Sequence, residues 1–247
     1  MPSVSSASAV ASTSRIDFAP DETTTICVER PIGTGRALEK APRPFLATVG
    51  LRVDPAPVSF GVEYRLEVDP GSLPLSFHKA VEDTVHETLQ QGLYGWQVTD
   101  CIVTMTHSIR LRHFATSTPA EHRNLTPLVL MSALRQAGTV VCEPIHRFHL
   151  EAPADTLGPL LPVLAQLRAV PELPAQNGSA FTLEGAIPAA RVHELRLRLP
   201  KLSRGEGVLE CTFDRYEAVP DPIPTRPRWD HNPLNREEYL LHVARRV

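Results

Sequence analysis

Between His107 and Ser117 the chain reads HSIRLRHFATS, and these are the side chains best suited to grip a polyanion. Arg110 and Arg112 can pair with phosphate groups, and His113 or Phe114 can stack on an exposed base, a contact worth about 1–3 kcal/mol. Ser108, Thr116 and Ser117 belong to the same run. Taken alone, such a stretch reads equally well as a solvated charged loop, because charged loops usually are. The formal net charge of −3 over 247 residues does not announce a nucleic-acid binder. A local basic tip is compatible with a neutral or acidic surface elsewhere.

Other residue types that carry chemistry do not assemble into a catalytic pattern. The His86-Glu87 and His193-Glu194 pairs both lack the second histidine that a zinc protease helix places four residues after the first. His146 and His149 sit an odd number of residues apart on a predicted strand and so face opposite ways. Gly33 to Gly35 reads GTG without the lysine of a phosphate loop, and no nucleophile elbow, kinase set or dinucleotide fingerprint occurs. Cys27, Cys101, Cys142 and Cys211 are far apart, have no CxxC spacing and lie in apolar stretches, so buried free thiols are expected rather than a disulfide or metal site. No apolar run reaches the roughly 18 residues of a membrane span, and the first residues lack the charge and apolar block of a signal peptide. A cytoplasmic protein is the expectation, with no metal and no membrane partner.

The stretch that must position the basic run lies just before it, from Leu73 to Val103. Phe77, Ala80, Val81, Val85 and Leu89 recur at helical spacing, while His78, Lys79, Glu82, Asp83, His86 and Glu87 take the outer face. Gly92 is expected to close this helix in a left-handed conformation, and Gly95 to turn the chain again. Leu93, Tyr94 and Trp96 would pin the turn, and Gln97 to Thr106 reads as one strand. Upstream, Phe45–Val53 and Val62–Val68 alternate as strands around the Ala56–Gly61 loop, which holds Pro57 and Ser59. After the basic run, Thr118, Pro119 and Glu121 spell a helix start: cap, first-turn proline and capping box. Leu125, Leu128, Val129, Leu134 and Ala137 would form its buried stripe, and Gly138 its end.

Thr139–Pro144 then reads as a join to a second unit. Ile145–Ala152, Ala154–Ala169, Ser179–Ile187, Ala189–Leu199 and Gly207–Glu217 give its strands and helices in an order that fits a ferredoxin-like βαββαβ sandwich. From Pro220 onward five prolines mark an extended tail, and Asn235–Arg246 reads as a short helix with Tyr239, Leu240 and Val243 on one side.

With these elements in place, ICVERPIG (Ile26–Gly33), FLATVGLRVDPAPVSFGVEY (Phe45–Tyr64), GLYGWQVTDC (Gly92–Cys101), STPAEHRNLTPLVL (Ser117–Leu130), CEPIHRFHLEAP (Cys142–Pro153) and PLNREEYLLHV near the end resemble, in order, the tetracycline-resistance ribosomal protection proteins, relatives of elongation factor G. The resemblance runs from about Thr23 to the C-terminus. It implies an α+β chain of two small α/β sandwich domains, a domain IV-like unit at 45–141 and a ferredoxin-like domain V-like unit at 142–220. Residues 1–14 would be a disordered start, 15–44 a strand remnant of the third domain plus a linker, and 221–247 a tail whose helix docks back on the body. The GTPase domain of full-length relatives, with its GTP and Mg, would be missing, so neither cofactor nor enzymatic activity is expected.

The resemblance further implies a monomer that binds the ribosome, not DNA, with Ser108, Arg110, Arg112, His113, Phe114, Thr116 and Ser117 at a tip against small-subunit rRNA near the decoding site. Pro57, Ser59, Gly92, Leu93, Tyr94, Gly95 and Trp96 would be supporting loops, with a purely architectural role open for Tyr94 and Trp96. Arg112, His113 and Ala115 stand where relatives often carry two tyrosines and a proline, a departure from the family's loop. Two other readings stay open: a folded remnant that binds nothing, and an interaction module that works with a separate GTPase chain.

Overall fold

The structure is a computed structural model that describes residues 27–40, 47–69, 74–108 and 118–244. Two sheets organise it. In the first, β2 (Gly35–Lys40), β3 (Thr48–Pro55) and β6 (Cys101–Ser108) pair antiparallel, and β4 (Val62–Leu66) pairs parallel to β6. The parallel pair needs a crossover, which α1 (Leu75–Thr88) supplies, and α2 (Pro119–Ala137) packs beside α1. Alternation decides which face is inside. Val49, Leu51 and Val53 of β3 and Cys101, Val103 and Met105 of β6 are all fully buried against Val81, Val85, Leu125, Val129 and Leu134 from the two helices.

The second sheet is threaded on β7 (Thr139–Pro153), a strand of 15 residues. Cys142 lies opposite both Val28 of β1 (Val28–Pro31) and Ala218 of β11 (Val208–Ala218), so those two strands flank β7 on opposite edges. β10 (Ala180–Pro188) continues along the edge that β1 begins. β7 and β10 are the inner strands of the ferredoxin-like unit. β11 and a short pair, β8 (Val170–Pro171) and β9 (Ala175–Asn177), are its outer ones. That second outer strand is broken because Pro171 and Pro174 supply no amide hydrogen. α3 (Leu157–Gln166) and α4 (Ala189–Leu202) cover one face and bury Phe148, Leu150, Phe181 and Leu183 with Leu160, Leu164 and Leu195.

The tail returns to the first unit. α5 (Arg236–Ala244) lays Tyr239 and Val243 into the first core, and the Tyr239 hydroxyl donates to the carbonyl of Asn124 in α2 at 2.9 Å.

Several expectations are realised. The Thr118 capping box closes in both directions, Pro119 opens α2, and Gly138 ends it with φ of 68°. All four cysteines are free, with Cys27, Cys101 and Cys142 buried as expected and Cys211 half-buried, and burial pushes the Cys101 thiol up to about 12. Others are corrected. α1 ends at Thr88 with Leu89 as its C-cap, not at Gly92, and of the two turn glycines Gly95, at φ of 84°, is left-handed while Gly92 is not. Gly35–Lys40 is strand β2 rather than linker, because its amides pair with β3 throughout. Thr139–Pro144 is no join but the first part of β7, paired with β1 and with the end of β11. The single strand expected at Gln97–Thr106 is split into β5 (Gln97–Val98) and β6 by Asp100 at φ of 54°, and β5 joins β1 in the other sheet. His78, assigned to the outer face of α1, is 4% exposed.

Candidate functional site

The GLYGW turn is built around an acid from another part of the chain. Glu29 of β1 is 0% exposed, and its carboxylate accepts from the amides of Leu93 at 2.8 Å, Tyr94 at 2.7 Å and Trp96 at 3.1 Å. The Thr139 hydroxyl donates a fourth hydrogen bond at 2.8 Å. Burial pushes the Glu29 pKa up, against the pull of these four donors. A Cβ on Gly92 would lie 2.4 Å from the Glu29 carboxylate, so glycine stands there to make room for the acid. The next residue, Arg30, sets its Nε 2.8 Å from Oδ2 of Asp100, whose Oδ1 accepts the Gly61 amide at 3.0 Å. Glu29 also accepts the Thr99 amide on its own carbonyl at 2.9 Å. The ICVERPIG and GLYGWQVTDC motifs are therefore two halves of one joint between the sheets.

The tail covers the same turn. The Arg226 amide donates to the Tyr94 carbonyl at 2.8 Å, and the Trp96 indole donates to the Pro224 carbonyl at 2.8 Å. Arg228 caps the carbonyls of Gln91 and Gly92 at 2.8 and 3.0 Å, and the Trp229 amide donates to the Gln91 side chain. The Arg226 guanidinium lies 5.9 Å from the Trp96 ring centroid and 5.4 Å from that of Trp229, within cation–π range. At Gly95 a Cβ would fall 2.0 Å from the Arg226 carbonyl oxygen. Gly92, Leu93, Tyr94, Gly95 and Trp96 are thus committed to contacts within the chain.

Register then separates the expected site residues into two groups. Cys101, at the start of β6, lies beside Pro55 and Val62, whereas Ser108, at its end, lies beside Val49. Seven residues of strand put these ends about 23 Å apart. The Ala56–Gly61 loop, with Pro57 and Ser59 exposed, and the Gln91–Trp96 turn belong to the Cys101 end. Ser108 belongs to the other end. Arg110, Arg112, His113, Phe114, Thr116 and Ser117 lie outside the described residues. The structure does not bring the two loops to Ser108, so they cannot act there as its supports. β2 and β3 exchange at the Ser108 end too, since Lys40 pairs with Thr48.

One feature near that end escaped the sequence reading. His78 and His122 are 4% and 1% exposed, on α1 and α2, and Phe77 meets the His122 ring edge-on at 5.0 Å. Burial holds the His122 pKa down, with the nearby His78 acting in the same direction. A histidine at an i+1 offset from an apolar stripe looks like an outer-face residue, and only the α1–α2 packing turns it inward. Among the described residues no group of three or more His, Cys, Asp or Glu could hold a metal ion, and no helix is long and apolar enough to cross a membrane.

Two packed α/β units, the second ferredoxin-like, joined by a buried acid and a returning tail, define a translation-factor type of architecture. Residues 30–138 match the family described as elongation factor G, domain IV, and residues 140–227 the family described as elongation factor G C-terminus. The oxytetracycline resistance protein of Streptomyces rimosus is 44% identical over 234 residues, 92% of this chain and 35% of that protein. The tetracycline resistance protein TetP of Clostridium perfringens is 38% identical over 233 residues, and TetM of Streptomyces lividans 46% over 187, which cover 92% and 73% of this chain and 35% and 29% of theirs. Residues 30–227 belong to the elongation factor G domain IV and C-terminal families, and the chain spans about a third of the length of these tetracycline-resistance relatives. A solved structure from Thermus thermophilus shares the fold, with a TM-score of 0.66 at 22% identity over 89% of this chain and 31% of that one.

Proposed function

We propose that this chain binds the ribosome through the Ser108 end of its first unit, with residues 108–117 against small-subunit rRNA near the decoding site, as a protection-type factor does. The observation that carries the reading is the polarity of the first sheet. Its Cys101 end is occupied by Glu29, Asp100 and the tail, whereas at the Ser108 end β6 leads straight into the basic run. The sequence relatives named for tetracycline resistance support the same reading. In it, Arg110 and Arg112 pair with phosphates and Phe114 or His113 stacks on a base. Residues 30–227 match the domain IV and C-terminal families of elongation factor G, and the reading gives them a binding role.

The test is cosedimentation with bacterial ribosomes across a salt series. Changing Arg110, Arg112 and Phe114 together to alanine should weaken binding by about tenfold or more and flatten the salt slope by about two charges. A control with Val58 and Phe60 changed to serine, at the opposite end of the sheet, should bind as the parent does. Equal loss in the two variants, or no salt-sensitive binding by the parent, would remove the proposal.

A further inference from the structure

The ferredoxin-like sheet is covered by helices on one face only. Phe148 and Leu150 point toward α3 and α4, and the residues that alternate with them on β7, Arg147, His149 and Glu151, line the other face. In register beside them stand Glu184 of β10 and Glu210 of β11, both directly across from His149. The side chains are open to solvent, with Arg147 at 53%, Glu184 at 44% and Glu151 at 59% exposure.

Charge on this face is unbalanced in a particular way. Arg147 is shared by Glu184 at 2.7 Å and Glu172 at 3.2 Å. Arg215 is likewise shared by Asp214 and Glu217. His149 lies 3.3 Å from Glu151 and 3.6 Å from Glu184. Arg147 and Arg215 therefore each face two carboxylates, Arg168 pairs with Glu143 at 2.9 Å, and these guanidiniums stand against Glu143, Glu151, Glu172, Glu184, Glu210, Asp214 and Glu217, so the face keeps an acidic excess. Arg147, Arg168 and Arg215 line a cleft of about 620 Å³, floored by Ile145, Ala186 and Pro188 and rimmed by Glu172, Asp214 and Glu217.

We propose that this open sheet face docks a Lys- and Arg-rich segment of another protein. The apolar floor accepts the methylene stem of a long cationic side chain while its head reaches the rim carboxylates. An incoming guanidinium or ammonium supplies the second cation that each doubly shared arginine leaves wanting. A phosphate backbone is repelled by the same excess, and a purely apolar partner would desolvate carboxylates without pairing them. The face thus selects for a basic protein, whereas the proposed contact of residues 108–117 selects for RNA, and the two are independent.

Fluorescence anisotropy with a labelled ten-residue peptide of alternating arginine and serine tests the surface. Three neutralisations on the face, Glu184→Gln, Glu210→Gln and Glu217→Gln together, should raise Kd about tenfold at low salt. An equal charge change on the exposed side of α1, Glu82→Gln, Asp83→Asn and Glu87→Gln, should leave Kd within about twofold. The proposal is overturned if the two triple variants weaken binding alike, if the parent does not bind the peptide, or if a labelled ten-nucleotide single-stranded RNA, titrated separately, binds the parent and loses affinity with the face variant.

Discussion

Glu29 shows how one side chain can decide the roles of many others. Its carboxylate takes three backbone amides that a tight turn would otherwise leave buried without acceptors. Glu29→Ala should therefore cost about 2–4 kcal/mol in urea unfolding, since several donors lose their partner at once. A loss below about 0.5 kcal/mol would show that water replaces the carboxylate at no cost. The same residue sets a pH dependence. Its folded pKa is raised above the ordinary carboxylate value of 4.5, so the folded chain holds this proton more tightly than the unfolded chain. That contribution is fully present below the unfolded pKa and is lost as pH rises through the folded one. The urea midpoint should fall over that window, and Glu29→Gln should flatten the change. Sequence reading singled out both motifs of the joint but not the bond between them. A glutamate inside ICVERPIG carries no sign of which distant amides it will meet.

At the scale of the element, local chemistry and long-range pairing divide the outcomes. The start of α2 is written in four consecutive residues and was legible for that reason, because a capping box closes on itself. Thr118→Ala should destabilise the chain by about 1 kcal/mol, or about 2–4 °C in melting temperature, while Thr118→Ser should be close to neutral. A melting curve unchanged in Thr118→Ala would mean that Glu121 alone holds the helix start. β2 was not legible in the same way, and neither was the pairing of β1 and β5, although both fall in stretches read as strand. Each is short, and each is a strand only because a partner far along the chain completes its ladder, as β7 does for β1 and β3 for β2. The break at Asp100 was hidden for a related reason: its left-handed backbone is held by Arg30 and by the Gly61 amide, neither of them near in sequence.

For the whole molecule the decisive feature is the return of the tail. α5 starts beyond the second unit yet completes the first core, where Tyr239 is 8% exposed. Tyr239→Ala should cost about 3–5 kcal/mol and Tyr239→Phe only about 1 kcal/mol, the first through a cavity and the second through the lost bond to Asn124. If urea unfolding showed a loss below about 1 kcal/mol for the alanine variant, α5 would be an ornament on the surface rather than part of the core. The tail also explains why GLYGW, the most distinctive run in the sequence, faces inward: its carbonyls and its indole are used by residues 224–229. By itself the sequence determined the family, the two-unit α+β architecture, most helices and the apolar stripes, because periodicity, caps and colinear motifs are local or additive signals. Tertiary structure alone decided which end of the first sheet is locked. It decided too that Pro57, Ser59 and the Gly92–Trp96 turn lie a sheet's length from Ser108, because register and the docking of a distant tail are set by partners that no local window contains.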